Sequence, residues 1–164
     1  MATPVSSLIG ANLEASGSTE LFALGTICEA DQGQRYEYVV CSGTFTTGQL
    51  VTLTPTGTAL MLLTARVSGQ NDFGLDLAAV QRTISQGEFG WVAKQGRNLY
   101  VKCSGTVTAG GEIGYGIGVS GKLVNALWVG VGNTALGVFV TTSASIVTES
   151  VAVATLTWPR IVTE

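Results

Sequence analysis

Tyr38-Val39-Val40-Cys41-Ser42-Gly43-Thr44-Phe45-Thr46-Thr47-Gly48 decides the reading of this chain. It returns 62 positions later as Tyr100-Val101-Lys102-Cys103-Ser104-Gly105-Thr106-Val107-Thr108-Ala109-Gly110. Each copy reads as a strand of β-branched and aromatic residues, a polar corner, and a glycine where the chain reverses. Thr44-Phe45-Thr46 and Thr106-Val107-Thr108 set one apolar side chain between two polar ones, the alternation of a half-buried strand. The spacing exceeds the short periods of repeat arrays. Two readings fit: one useful corner that arose twice, or a duplicated half-barrel.

Outward from these corners the chain continues as strands. Residues 36–41, 49–54 and 60–67 are β-rich runs, the second stopping at Pro55. Residues 89–93 and 98–103 flank a turn expected at Gln95-Gly96, and 127–131 and 135–140 flank one at Gly132-Asn133. Residues 151–158 form a last strand ending at Pro159, with Ala152, Ala154, Leu156 and Trp158 on one face. The only helical pattern lies between Asp72 and Arg82. The expected fold class is all-β: a compact β-barrel or β-sandwich of many short antiparallel strands, with an extended N-terminal arm. Residues 1–20 are the arm, and 21–164 form a single domain with a half-repeat at 38–48 and 100–110. The arm is rich in Ser, Ala and Thr, and its Val5, Leu8, Ile9 and Leu13 keep no period. It reads either as a disordered tail or as a segment that orders on a partner.

Composition removes whole classes of function. The 164 residues carry a net charge of −3, and only 12% are charged, which with a mean hydropathy of +0.40 argues against a disordered polyelectrolyte. The eight Lys and Arg are scattered, so there is no basic stripe for nucleic acid. With no His, Ser-His-Asp and Cys-His machinery and imidazole metal sites are excluded. Cys28, Cys41 and Cys103 form no C-x-x-C pair, and their odd number suits a reducing compartment. The sequence leaves open whether Cys41 and Cys103 are paired, and a buried apolar role is the simpler one. No basic residue precedes Arg35, so the start does not read as a secretory signal. Residues 123–148 carry no charge, but their Asn, Gly, Thr and Ser content fits a hairpin rather than a membrane span.

Several motifs tempt and fail. Gly116-Ile117-Gly118-Val119-Ser120-Gly121 fits G-x-G-x-x-G, yet its flanks read as strands, and a dinucleotide site needs a following helix. Lys122 makes it nearly a P-loop, but Leu123 stands where the Mg²⁺-holding hydroxyl belongs. Asp72 with Asp76, and Glu29 with Asp31, are carboxylate pairs without a ligand-dense loop. There is no G-x-S-x-G elbow. Trp91, Trp128 and Trp158 suggest a sugar-stacking platform, although alternating strands favour their burial. No enzyme, cofactor or metal is therefore expected.

Two stretches carry a family likeness: Cys41-Ser42-Gly43-Thr44-Phe45-Thr46-Thr47-Gly48-Gln49-Leu50-Val51 with its later echo, and Gln86-Gly87-Glu88-Phe89-Gly90-Trp91-Val92. Their order resembles that of tailed-phage head decoration (capsid cement) proteins, over roughly Gly33 to Tyr115. The resemblance implies a β-barrel or sandwich on the outer surface of an icosahedral virion, made in the bacterial host cytoplasm. It implies the major capsid protein as partner, a homo-oligomer with a trimer favoured, and neither nucleic acid nor membrane. Candidate capsid contacts are Leu8, Ile9 and Leu13 as arm anchors, and Trp158 with Ile161 near the C-terminus. A phage fibre, spike or head–tail component, or a carbohydrate-binding β-sandwich module, is the alternative.

Overall fold

The computed structural model describes residues 11–30, 33–61, 76–103, 115–118, 122–124, 133–141 and 150–163. Ten strands occur among them: β1 (Ile27–Ala30), β2 (Gln34–Cys41), β3 (Leu50–Leu53), β4 (Thr58–Met61), β5 (Asp76–Val80), β6 (Phe89–Cys103), β7 (Tyr115–Gly118), β8 (Lys122–Val124), β9 (Asn133–Val140) and β10 (Ser150–Thr163). They belong to one mixed sheet, and no α-helix occurs among the described residues.

The pairings close two circuits. In the first, β2 runs parallel to β4 through Val40↔Thr58 and Cys41↔Ala59. Antiparallel pairs β4–β3, β3–β5, β5–β6 and β6–β2 then return to the start. In the second, β6 runs parallel to β8 through Cys103↔Leu123. Antiparallel pairs β8–β7, β7–β9, β9–β10 and β10–β6 close it. The order of parallel and antiparallel steps is the same. Register transposes too: Tyr38↔Trp91 and Val40↔Phe89 of the first circuit become Tyr100↔Val153 and Lys102↔Val151 of the second. In these pairs each partner has moved by the spacing of the two corners, while the parallel bridge Cys41↔Ala59 returns as Cys103↔Leu123, so the echo extends from a short motif to a pairing pattern.

The two circuits share β6, and here the expected turn at Gln95-Gly96 is corrected. The strand runs unbroken for 15 residues. Gly96 has φ +130°, and a Cβ there would stand 2.6 Å from Gln34 Cα. The register slips beside it on both neighbours, between Arg35 and Tyr36 and between Ala154 and Leu156. Gly96 thus marks an irregularity that bends one strand from one circuit into the next.

Two further expectations are corrected. Asp76–Val80 is a strand rather than part of a helix, and Leu77 to Val80 are all buried. An interior strand covered on both faces loses the apolar–polar alternation that identifies strands. Pro159 does not end β10, which continues to Thr163. Its pairing with β9 shifts register between Leu156 and Arg160, and such a break is where a residue without an N–H is tolerated.

Side chains alternating onto one face of the first circuit form a single buried cluster: Val39, Cys41, Val51, Leu53, Ala59, Ala78, Val80 and Val92, with Phe45 and Ile84. Phe45 and Ile84 close one end, exchanging backbone hydrogen bonds of 2.9 Å in both directions. The other end holds charge. Lys94 Nζ lies 2.9 Å from Glu37 Oε2 and 2.6 Å from Asp76 Oδ2. The side chains of Lys94 and Glu37 are only 8% and 11% exposed, whereas that of Asp76 is 53% exposed. Burial works to lower the Lys94 pKa, but the hydrogen bonds to Asp76 and Glu37 carry it above its ordinary value. In the second circuit the positions of Glu37 and Lys94 fall on Leu99 and Leu156, both buried with Val101, Cys103, Val138, Ala152 and Ala154. The second circuit is apolar where the first carries an ion cluster. The expected alternation of β10 is observed, with Ala152, Ala154 and Leu156 buried and Val151 and Thr157 exposed.

The corner 42–48 is fixed to β6. Gly48 accepts from Lys102 N at 2.6 Å and donates to Val80 O at 2.6 Å. Its φ is +82°, and a Cβ would lie 2.9 Å from Lys102 N, so no other residue fits this reversal without strain. Lys102 Nζ completes the brace at 2.7 Å from Thr46 Oγ1.

Candidate functional site

The described part of the expected arm, residues 11–20, is seated on the body. Asn12 starts it with a turn: its Oδ1 accepts from Glu14 N (3.0 Å) and its carbonyl from Ala15 N (3.1 Å). Gly17 then pairs with Phe89, donating at 3.1 Å and accepting at 2.8 Å. Ser16 Oγ donates to Glu88 Oε2 at 3.3 Å, and Leu21 N donates to the Tyr38 hydroxyl at 3.1 Å.

Beneath this strap lies an aromatic floor. Trp91 and Tyr38 face each other across β6 and β2 with ring centroids 5.0 Å apart. Phe22 descends from the strap onto both, 5.3 Å from each. Phe89 stacks on Tyr38 at 6.2 Å. Such edge and offset contacts add roughly 0.5–1.5 kcal/mol each beyond area burial. A groove of about 320 Å³ remains between strap and floor, and none of its lining residues is charged. Leu21, at its rim, is 70% exposed.

The groove offers shape and apolar contact rather than acid–base chemistry. Glu88, bonded to the strap through Ser16, is held below the usual carboxylate range by hydrogen bonds from the Ser85 backbone, the Ser85 side chain and Ser16. Cys28, Cys41 and Cys103 are free and buried, which answers the open question of a 41–103 disulfide. Burial pushes the Cys41 thiol up to about 12, with Glu88 adding to it, and the Cys103 thiol up to about 11. Thiols so protonated are poor nucleophiles. Glu29 pairs with Arg35 at 2.8 Å and Asp76 with Lys94 at 2.6 Å; Asp31 and Asp72, the other members of the two carboxylate pairs considered from sequence, lie outside the described residues. Gly116 and Gly118 sit in β7, which pairs antiparallel with β8. A strand–strand setting replaces the strand–helix one that phosphate binding needs. Among the described residues no three metal-ligating side chains come together.

Of the expected contact residues, Leu13 is 8% exposed and packs in the core cluster with Cys28 and Tyr36. It anchors the strap to its own body, so it is not held out for a partner. Leu8 and Ile9 lie outside the described residues. Trp158 and Ile161 belong to β10, Ile161 opposite Ala135 of β9, and their side chains also lie outside the described set. Trp91 is 3% exposed, which removes it from a sugar-stacking surface. Sequence reasoning missed Phe22 and Phe89. The available signal was the aromatic pair Phe89 and Trp91, two residues apart on one face of a strand.

No protein-family model, curated protein or solved structure matches this chain.

Proposed function

We propose that this chain is a structural virion protein that decorates and cements the outer surface of an icosahedral phage capsid, stabilising contacts between capsomers. In this reading the two circuits are two small β-barrels fused through one strand. The major capsid protein is the partner, attachment is as a homo-oligomer, and no reaction is catalysed. The observation that carries the reading is the use made of the two stretches that resemble decoration proteins. Phe45 caps a core, Gly48 braces a corner, Cys41 and Val92 fill the interior, and Trp91 floors the strap. The likeness therefore rests on residues that build a rigid, chemically quiet frame, which is what cementing needs. Sparse charge supports it too, because neutral surface is cheaper to desolvate on assembly.

The test is the copy number of the chain in purified particles of the source virus, quantified by mass spectrometry against the major shell protein. Copies in the hundreds at a fixed ratio to the shell are expected. A handful of copies would favour a fibre or tail part, and absence from particles would overturn the virion reading.

A further inference from the structure

The duplication makes a comparison possible between the two circuits: what covers the outer face in each. In the first, Tyr38, Phe89 and Trp91 are covered by the strap 11–22, tied down where Gly17 pairs with Phe89. The register counterparts in the second circuit are Tyr100, Val151 and Val153. Val151 is 41% exposed, and Tyr100 and Val153 are partly exposed. The stretch 62 residues after the strap contains β5 and serves inside the first circuit, and among the described residues no segment takes the strap's place over the second.

The backbone is prepared for one. Val40 donates its N–H to Gly57, away from Phe89, which leaves the Phe89 N–H and C=O turned toward Gly17. Likewise Lys102 donates its N–H to Gly48 rather than to Val151. The Lys102–Val151 pair is thus a non-hydrogen-bonded one, and the Val151 N–H and C=O point to the opposite edge of β10. Two residues on, that edge is in use, for the Val153 carbonyl accepts from Thr141 N at 2.9 Å and from its Oγ1 at 3.0 Å. Among the described residues no strand pairs with β10 at Val151 on that side.

The geometry points to residues 3–9 of a second copy of this chain, Thr3-Pro4-Val5-Ser6-Ser7-Leu8-Ile9, as the strap of the second circuit. Three observations select this occupant. The face is a duplicate of one that already takes the N-terminal side of this chain as its cover. Residues 1–10 precede the seated strap, and ten extended residues reach about 33–36 Å, far more than the few residues of β10 to be covered. Residues 3–9 carry no charged side chain, so they suit an edge of Val and Tyr without a desolvation cost for charge. Pairing adds a strand to an open edge, with Val5, Leu8 or Ile9 against Val151 and Tyr100. Each copy then donates one segment and accepts one, a head-to-tail arrangement that closes as a ring or continues as a chain. The inference is independent of what the protein is attached to.

Two variants test it in sedimentation velocity. One lacks residues 1–10 and keeps the accepting edge. The other is Val151→Glu, which keeps the donor and puts a carboxylate at a position already 41% exposed; circular dichroism and melting of both verify that they fold. Expected is an oligomer for the unaltered chain, a single-chain mass for each variant alone, and a two-chain complex when the variants are mixed. A single-chain mass for the unaltered protein, or either variant associating as the unaltered protein does, overturns the proposal. So does a mixture that stays at single-chain mass.

Discussion

Removing Lys94 should cost far more than removing it together with Glu37. The perturbations are Lys94→Met, and Glu37→Leu with Lys94→Leu. Lys94 bridges two carboxylates at 2.9 and 2.6 Å with a side chain only 8% exposed, and Glu37 is nearly as enclosed. Lys94→Met leaves the Glu37 carboxylate buried without its cation, a loss on the order of 3–5 kcal/mol. For a chain of this size that is a fall in Tm of roughly 6–20 °C at about 2–4 °C per kcal/mol. In the double variant no charge remains in the enclosed pair, and Asp76, about half exposed, turns to water. The protein already holds the equivalent arrangement, since Leu99 and Leu156 occupy these two positions in the second circuit and are buried. The double variant should therefore lie within about 1–2 kcal/mol of the unaltered protein, or above it, because apolar replacement of buried ion pairs is often neutral or stabilising. Urea unfolding followed by far-ultraviolet circular dichroism measures both. A double variant less stable than Lys94→Met, or a Lys94→Met cost under 1 kcal/mol, would refute the argument.

Three other outcomes follow from the same geometry. Gly48→Ala should destabilise by about 3 kcal/mol, combining the left-handed backbone penalty of 1–2 kcal/mol with crowding of the β6 backbone; a melting shift within error of zero would contradict the brace. Glu88 has a folded pKa below its unfolded one, so its contribution is present above about pH 4.3 and is lost as pH falls through the folded value. Hydrogen exchange at residues 16–22 should accordingly quicken at acid pH, and should lose that pH dependence in Glu88→Gln. The three buried thiols should react with a soluble disulfide reagent only on unfolding, so brisk labelling of the folded protein at pH 8 would show that the frame opens.

What the sequence disclosed depended on how each strand is covered. β10 was readable because one face is buried and the other wet, giving Ala152, Ala154 and Leu156 a clean period of two. The first corner was readable because Phe45, which closes a core, stands between two polar threonines. β5 was hidden because both its faces are buried and its run of Leu and Ala matches a helix equally well. Gly96 was misread because a glycine between two strand patterns signals a turn or a bulge alike, and only the backbone of Gln34 decides. The strap was hardest. Beyond the isolated anchors Leu13 and Phe22, its hold on the body comes from backbone pairing at Gly17 and from the Tyr38 hydroxyl, neither of which leaves a hydropathy pattern.

A single strand common to both circuits also governs how the molecule folds. β6 takes its partners from β2, about fifty residues before it, and from β10, about fifty residues after it. Neither half completes its ring until distant segments have met, so loop-closure entropy is met early and folding is slow for the chain length. Leu99, Val101 and Cys103 belong to the second core while their strand begins in the first. Losing one circuit strips cover from the strand that holds the other. The two halves, alike in plan, are bound to melt together.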